Sequence, residues 1–161
     1  MIAKGSTFPQ GIQLKSIEHN MIRDFSTDTL KQGRYVVFGV PGAFTMTCST
    51  QHVPSYRDNA ATLFNKNIQG IFCISVNDAF VMQAWAKSLD LDHHVTLLAD
   101  ADGALTKALD ATLDLSHFSL GIRSKRYSMI VEEGIVHDVF IENDPTQCDI
   151  TAAQNLLHTL S

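Results

Sequence analysis

Cysteine and proline are scarce in this chain, and a long apolar run is missing altogether. Three cysteines occur in 161 residues, an odd number with no C-x-x-C pair. That excludes a secreted scaffold stapled by disulfides and a dithiol exchange site, and it points to a reducing compartment. No apolar stretch approaches the ~20 residues that span a bilayer, and the opening MIAKGSTFPQ lacks the apolar region of a signal peptide. A cytoplasmic protein is expected. The formal net charge is −5, which argues against nucleic acid or an anionic membrane surface as partner.

Other absences narrow the chemistry. None of the seven histidines forms H-x-x-x-H, and neighbours such as His93 and His94 would be expected to point in different directions, so zinc is not expected. Asp100-Ala-Asp102-Gly103 lacks the first and last carboxylates of a calcium loop and reads as a turn. No G-x-G-x-x-G or Walker sequence is present, so no nucleotide cofactor is expected. Ser49 and His52 have no nucleophile elbow around them.

Between these gaps lies a patterned α/β sequence. Tyr35 to Val40 is apolar and β-branched and closes at Pro41-Gly42, the signature of a buried strand ending in a turn. Val53, Tyr56, Ala60, Leu63 and Phe64 recur at helical spacing. Ile71 to Val76 is a second strand, followed by an Asn77-Asp78 cap and a helix bearing Val81, Trp85 and Leu89. Val95 to Leu98 is a third strand, and Leu105 and Leu109 mark a short helix. Ile12 to Leu14 predicts a short strand, and Ser26 to Gly33 a polar connection. Arg126 to Val131 and Ile135 to Ile141, joined by Glu132-Glu133-Gly134, form a hairpin. Ile150 to Leu160 closes the chain as an amphipathic helix. The expectation is one domain over residues 1–161, a mixed sheet with helices on both faces.

Cys48 falls between the Tyr35 strand and the helix after it, near that helix's first turn. Free N–H groups and the helix dipole stabilise an anion there, and such placement lowers a thiol pKa to about 3.5–7.5. The competing reading is a small buried hydrophobe.

Pro41, Thr45 and Cys48 form P-x-x-x-T-x-x-C, and the string PGAFTMTCS resembles the peroxidatic motif of the peroxiredoxins. The likeness extends through CISVNDAFVM, LLAD, RSKRYSMIVEEGIV and VFIE in family order, and is closest to the type II, or peroxiredoxin-5-like, group. Met46 departs from the pattern, since type II members usually carry proline there. The resemblance implies a thioredoxin-like fold and a thiol peroxidase that reduces hydrogen peroxide and alkyl hydroperoxides. It assigns the peroxidatic thiol to Cys48, pocket donors to Thr45 and Arg126, and a shielding role to Pro41. Arg123 is the rival cation, and a solvated basic turn is the plainer reading of that cluster.

A sulfenic acid on Cys48 must be resolved by a second thiol. Cys73, 25 residues on, matches the plant-type spacing, and Cys148 lies in the region where animal-type members carry theirs. Glutathione, glutaredoxin or thioredoxin acting directly is the third possibility, and all three stay open. The resemblance also implies a homodimer. A non-catalytic redox sensor or holdase on the same fold is the competing function.

Overall fold

The computed structural model describes residues 1–91 and 94–160; the histidine reading at His93 lies outside the described residues. Nine strands and four α-helices follow in order: β1 (Gln13–Glu18), β2 (Met21–Ser26), β3 (Arg34–Gly39), α1 (Val53–Phe64), β4 (Gly70–Ser75), α2 (Ala79–Ser88), β5 (Thr96–Ala99), α3 (Ala104–Ala108), β6 (Thr112–Asp114), β7 (Ile122–Ser124), β8 (Tyr127–Glu132), β9 (Ile135–Ile141) and α4 (Ala153–Leu160).

Seven strands form one sheet in the order β2-β1-β5-β4-β3-β8-β9. The central three, β3, β4 and β5, run parallel because helical crossovers connect them. Hairpins add antiparallel pairs at both edges. Strand alternation splits the core in two. Val36, Phe38, Cys73, Leu97 and Ile130 face α1, α2 and α4, while Val37, Phe72, Ile74, Leu98 and Met129 face the side covered by α3. This is the mixed sheet flanked on both faces by helices that the alternation predicts.

Several details differ from the sequence reading. The first strand extends to Glu18 and turns back as β2, a hairpin that the pattern missed because β2 is an edge strand carrying Arg23 and Asp24 outward. The polar connection holds a 3-10 helix, Thr27–Lys31, with Leu30 buried. In α2 the buried face carries Met82, Trp85 and Ala86 rather than Val81. The last helix begins at Ala153, three residues later than expected, because Thr151 serves the site described below. The small β6-β7 ribbon was also unanticipated.

Candidate active site

The site forms where β3 ends. Gly42 sits in a tight spot: a Cβ there would lie 3.1 Å from an Arg123 nitrogen and 3.3 Å from Thr45 Cγ2, so those side chains would have to give way by a few tenths of an ångström. Helical structure starts at Met46, and the first i to i−4 bond runs from the Ser49 N–H to the Thr45 carbonyl at 3.0 Å. The N–H groups of Met46, Thr47 and Cys48 precede that bond, so they have no intrahelical acceptor.

From Cys48 to His52 the ladder widens to a π turn, with the Val53 N–H bonding the Cys48 carbonyl. Pro54, at the start of α1, has no N–H to return to the preceding turn, which favours the wider spacing. Cys48 is therefore held in the first turn of the helical run, as expected, but on a π turn ahead of α1.

The Cys48 thiol is fully buried, and Arg126 Nη2 lies 3.1 Å from its Sγ. Arg126 is the residue immediately before β8, so the antiparallel β3-β8 pairing returns it beside the end of β3. It is 2% exposed and gives each nitrogen a separate acceptor: Nε bonds the Pro145 carbonyl and Nη1 bonds His52 Nδ1, both at 2.9 Å. Arg123 goes elsewhere. Its guanidinium bonds the carbonyls of Leu120 and Val76 and braces the loop at Gly42. Of the two arginines, Arg126 is the one whose guanidinium lies beside the Cys48 sulfur.

Thr45 donates its hydroxyl to the Gly42 carbonyl at 2.7 Å, so contrary to the expectation of a pocket donor its single hydrogen is already used and its oxygen lone pairs are free to accept. Pro41 is buried beside it. Both line a cavity of about 390 Å³ whose other walls include Met46, Leu115, Phe118, Arg126 and Pro145. Met46 is 81% exposed at its mouth.

Cys73 lies on β4, paired with Phe38 and Leu97 on either side, and is fully buried. Burial pushes its thiol well up, with Cys48 adding to the rise and Arg126 opposing it. Cys148 is partly buried in the loop before α4, 3.8 Å from Thr151 Oγ1. Burial raises this thiol too, against its hydrogen bond with Thr151 and the charge of Arg126. No disulfide joins the three cysteines.

Sequence reasoning missed the network behind Arg126. His52 is fully buried, with Nε2 3.2 Å from the Thr151 carbonyl. Tyr56 donates to that carbonyl at 2.6 Å, and Ser128 donates to it as well. Thr151 is itself fastened through its N–H and hydroxyl to Glu142. The available signal was spacing: His52 is four residues after Cys48 and shares its helical face. Ser49, next to the thiol, accepts from Trp85 Nε1 at 2.9 Å.

Comparison with known proteins places the chain in a family. The model of the Redoxin family matches residues 3–157. The chain is 44% identical over 161 residues to Peroxiredoxin-2C of Oryza sativa, covering 99% of this chain and 98% of that one. It is 43% identical to the Peroxisomal membrane associated protein 20 of Schizosaccharomyces pombe, over 99% and 100% of the two chains. Among solved structures, reduced Prx3 of Vibrio vulnificus in complex with hydrogen peroxide is similar with a TM-score of 0.90 and 36% identity, covering 100% of both chains. A peroxiredoxin 5 structure from Alvinella pompejana is similar at TM-score 0.85 and 28% identity, covering 99% of this chain and 98% of that one.

Proposed function

The chain belongs to the redoxin family and, within it, to the peroxiredoxins of type II; it is a thiol-dependent peroxidase on a thioredoxin-like fold, and we propose that Cys48 is the thiol that meets the peroxide. The observation that carries this reading is Arg126 Nη2 at 3.1 Å from Cys48 Sγ. A guanidinium so placed faces the negative charge that passes from the sulfur to the peroxide oxygens during attack.

The Cys48 thiolate attacks one peroxide oxygen. An S–O bond forms as the O–O bond breaks, and hydroxide or alkoxide leaves and takes up a proton. The enzyme is left as a sulfenic acid. A low thiol pKa alone does not make this fast, since nucleophilicity falls with basicity. Donors aimed at the oxygens must stabilise the charge that shifts across the bond. Arg126 and the N–H groups that open the helix supply them, and the Thr45 oxygen accepts from the peroxide O–H to fix its orientation. Pro41 keeps water from the thiolate.

The substrates in this reading are hydrogen peroxide and small alkyl hydroperoxides. The sulfenic acid is returned to the thiol by glutathione, glutaredoxin or thioredoxin, directly or after a disulfide with Cys73 or Cys148. The protein works in the cytoplasm as a homodimer. Exposed Phe44, Met46 and Phe118 around the cavity support an apolar contact between copies.

A Cys48→Ser variant tests the assignment. It should lose peroxide turnover with every thiol donor while the other two cysteines remain, and retained turnover would refute it. Peptide mass spectrometry after one equivalent of peroxide, with a sulfenic-acid trap, then identifies the resolving thiol.

A further inference from the structure

Arg126 faces one group that can be an anion and two that carry no charge. Its Nη2 meets Cys48 Sγ, while Nη1 and Nε meet His52 Nδ1 and the Pro145 carbonyl. Among the described residues no carboxylate forms an ion pair with it. A buried guanidinium is usually held by a carboxylate, which orients it but cancels much of its field.

The His52 tautomer follows from both sides of the ring. A carbonyl can only accept, so the nitrogen facing Thr151 carries the proton. Arg126 can only donate, so the nitrogen facing it must present a lone pair. The two requirements agree, and a neutral imidazole with its proton on Nε2 satisfies both. Tyr56 and Ser128 converge on the same Thr151 carbonyl and keep it in place. Burial and the charge of Arg126 hold His52 well below the usual histidine range, so the ring stays neutral.

We propose that His52 is a positioning residue for the peroxidase reaction: as a neutral acceptor at Nδ1 it aims the Arg126 guanidinium at the Cys48 sulfur without neutralising it. The inference rests on the assignment of Cys48 and Arg126 above. Its core is a choice of acceptor. An imidazole lone pair orients the fork and leaves the full positive charge for the thiolate and the departing oxygen.

Three substitutions separate orientation, charge and mere packing. His52→Leu keeps most of the volume and removes the acceptor. His52→Asn offers a neutral oxygen near the Nδ1 position, and His52→Asp offers a charged one. The rate with hydrogen peroxide is read by stopped-flow fluorescence of Trp85, the one tryptophan in the chain, which is bonded to Ser49 beside the thiol. Thermal melts report folding.

His52→Leu should slow the peroxide reaction about tenfold or more. His52→Asn should restore much of the rate, and His52→Asp should behave like His52→Leu despite holding the guanidinium. A wild-type rate in His52→Leu would overturn the proposal. Should His52→Leu fail to fold, equal rates in the Asn and Asp variants would overturn it instead. A Cys48→Ser variant that still turns over would defeat the parent assignment, whereas an inactive Cys48→Ser beside a wild-type-like His52→Leu would defeat only this inference.

Discussion

The Pro145 carbonyl accepts from Arg126 Nε at 2.9 Å, so the cation facing Cys48 is held by the loop that carries Cys148. One residue on, the Thr146 carbonyl accepts from Thr47 Oγ1 at 2.6 Å. The loop thus grips the cation through one bond and the thiol's helical turn through the other. Any rearrangement that brings Cys148 toward Cys48 must strain or break these two bonds.

Arg126→Lys keeps the charge but cannot reach three separate acceptors in one plane. The peroxide rate constant should fall about 10²–10³-fold, the usual cost of losing an oriented donor to developing charge. Stopped-flow kinetics checks this, and a loss below tenfold would show that charge matters here and geometry does not.

Thr47→Val cuts the tether between the thiol's helical turn and the Cys148 loop. Stability should drop by about 0.5–1.5 kcal/mol, and Cys148 should react faster with an alkylating reagent in the reduced native protein. Cys73, buried on a strand hydrogen-bonded on both sides, should remain the slower of the two in both proteins. Peptide-level labelling kinetics decides the order.

Acid should destabilise the fold through His52. Its pKa is depressed when folded, by burial first and Arg126 second. Below the ordinary histidine pKa of 6.5 the unfolded chain binds a proton that the folded chain refuses. Stability is therefore unaffected above that pH and falls as pH drops, by up to about 1.4 kcal/mol per pH unit. Denaturant unfolding between roughly pH 6.5 and 5 should show a steeper loss in wild type than in His52→Asn. Parallel curves would contradict the buried neutral ring.

Met46→Pro should be tolerated. Position 46 is the first helical residue after Thr45, its N–H precedes the first helical bond, and its side chain is 81% exposed. Proline there restricts the unfolded chain and should add about 0.4–1 kcal/mol of stability. A lowered melting temperature would show that the loop's backbone angles differ from those proline allows.

The parallel strands and α1 were legible because their apolar periodicity is strong and uninterrupted: Tyr56, Ala60 and Leu63 lie buried where the spacing put them. The β1-β2 hairpin was only half legible, since an edge strand open to solvent need not alternate, and β2 buries none of its residues fully. At the site, the segment from Pro41 to Cys48 was readable because its parts are local and typed by chemistry. His52 was visible as a letter but not as a role, for its partners Arg126 and Thr151 come from sequence separations of 74 and 99 residues.

What the sequence determined by itself is the turn that presents Cys48 at a helix start, the alternating α/β order and the family motif, all set by short-range sterics and periodicity. Tertiary structure alone decided which arginine reaches the sulfur, that its other contacts are uncharged, and that the Cys148 loop holds it. Those outcomes depend on β8 pairing with β3 and on the last loop closing over the site. Such long-range pairings are selected by the burial of the whole sheet, and no local stretch of residues encodes them.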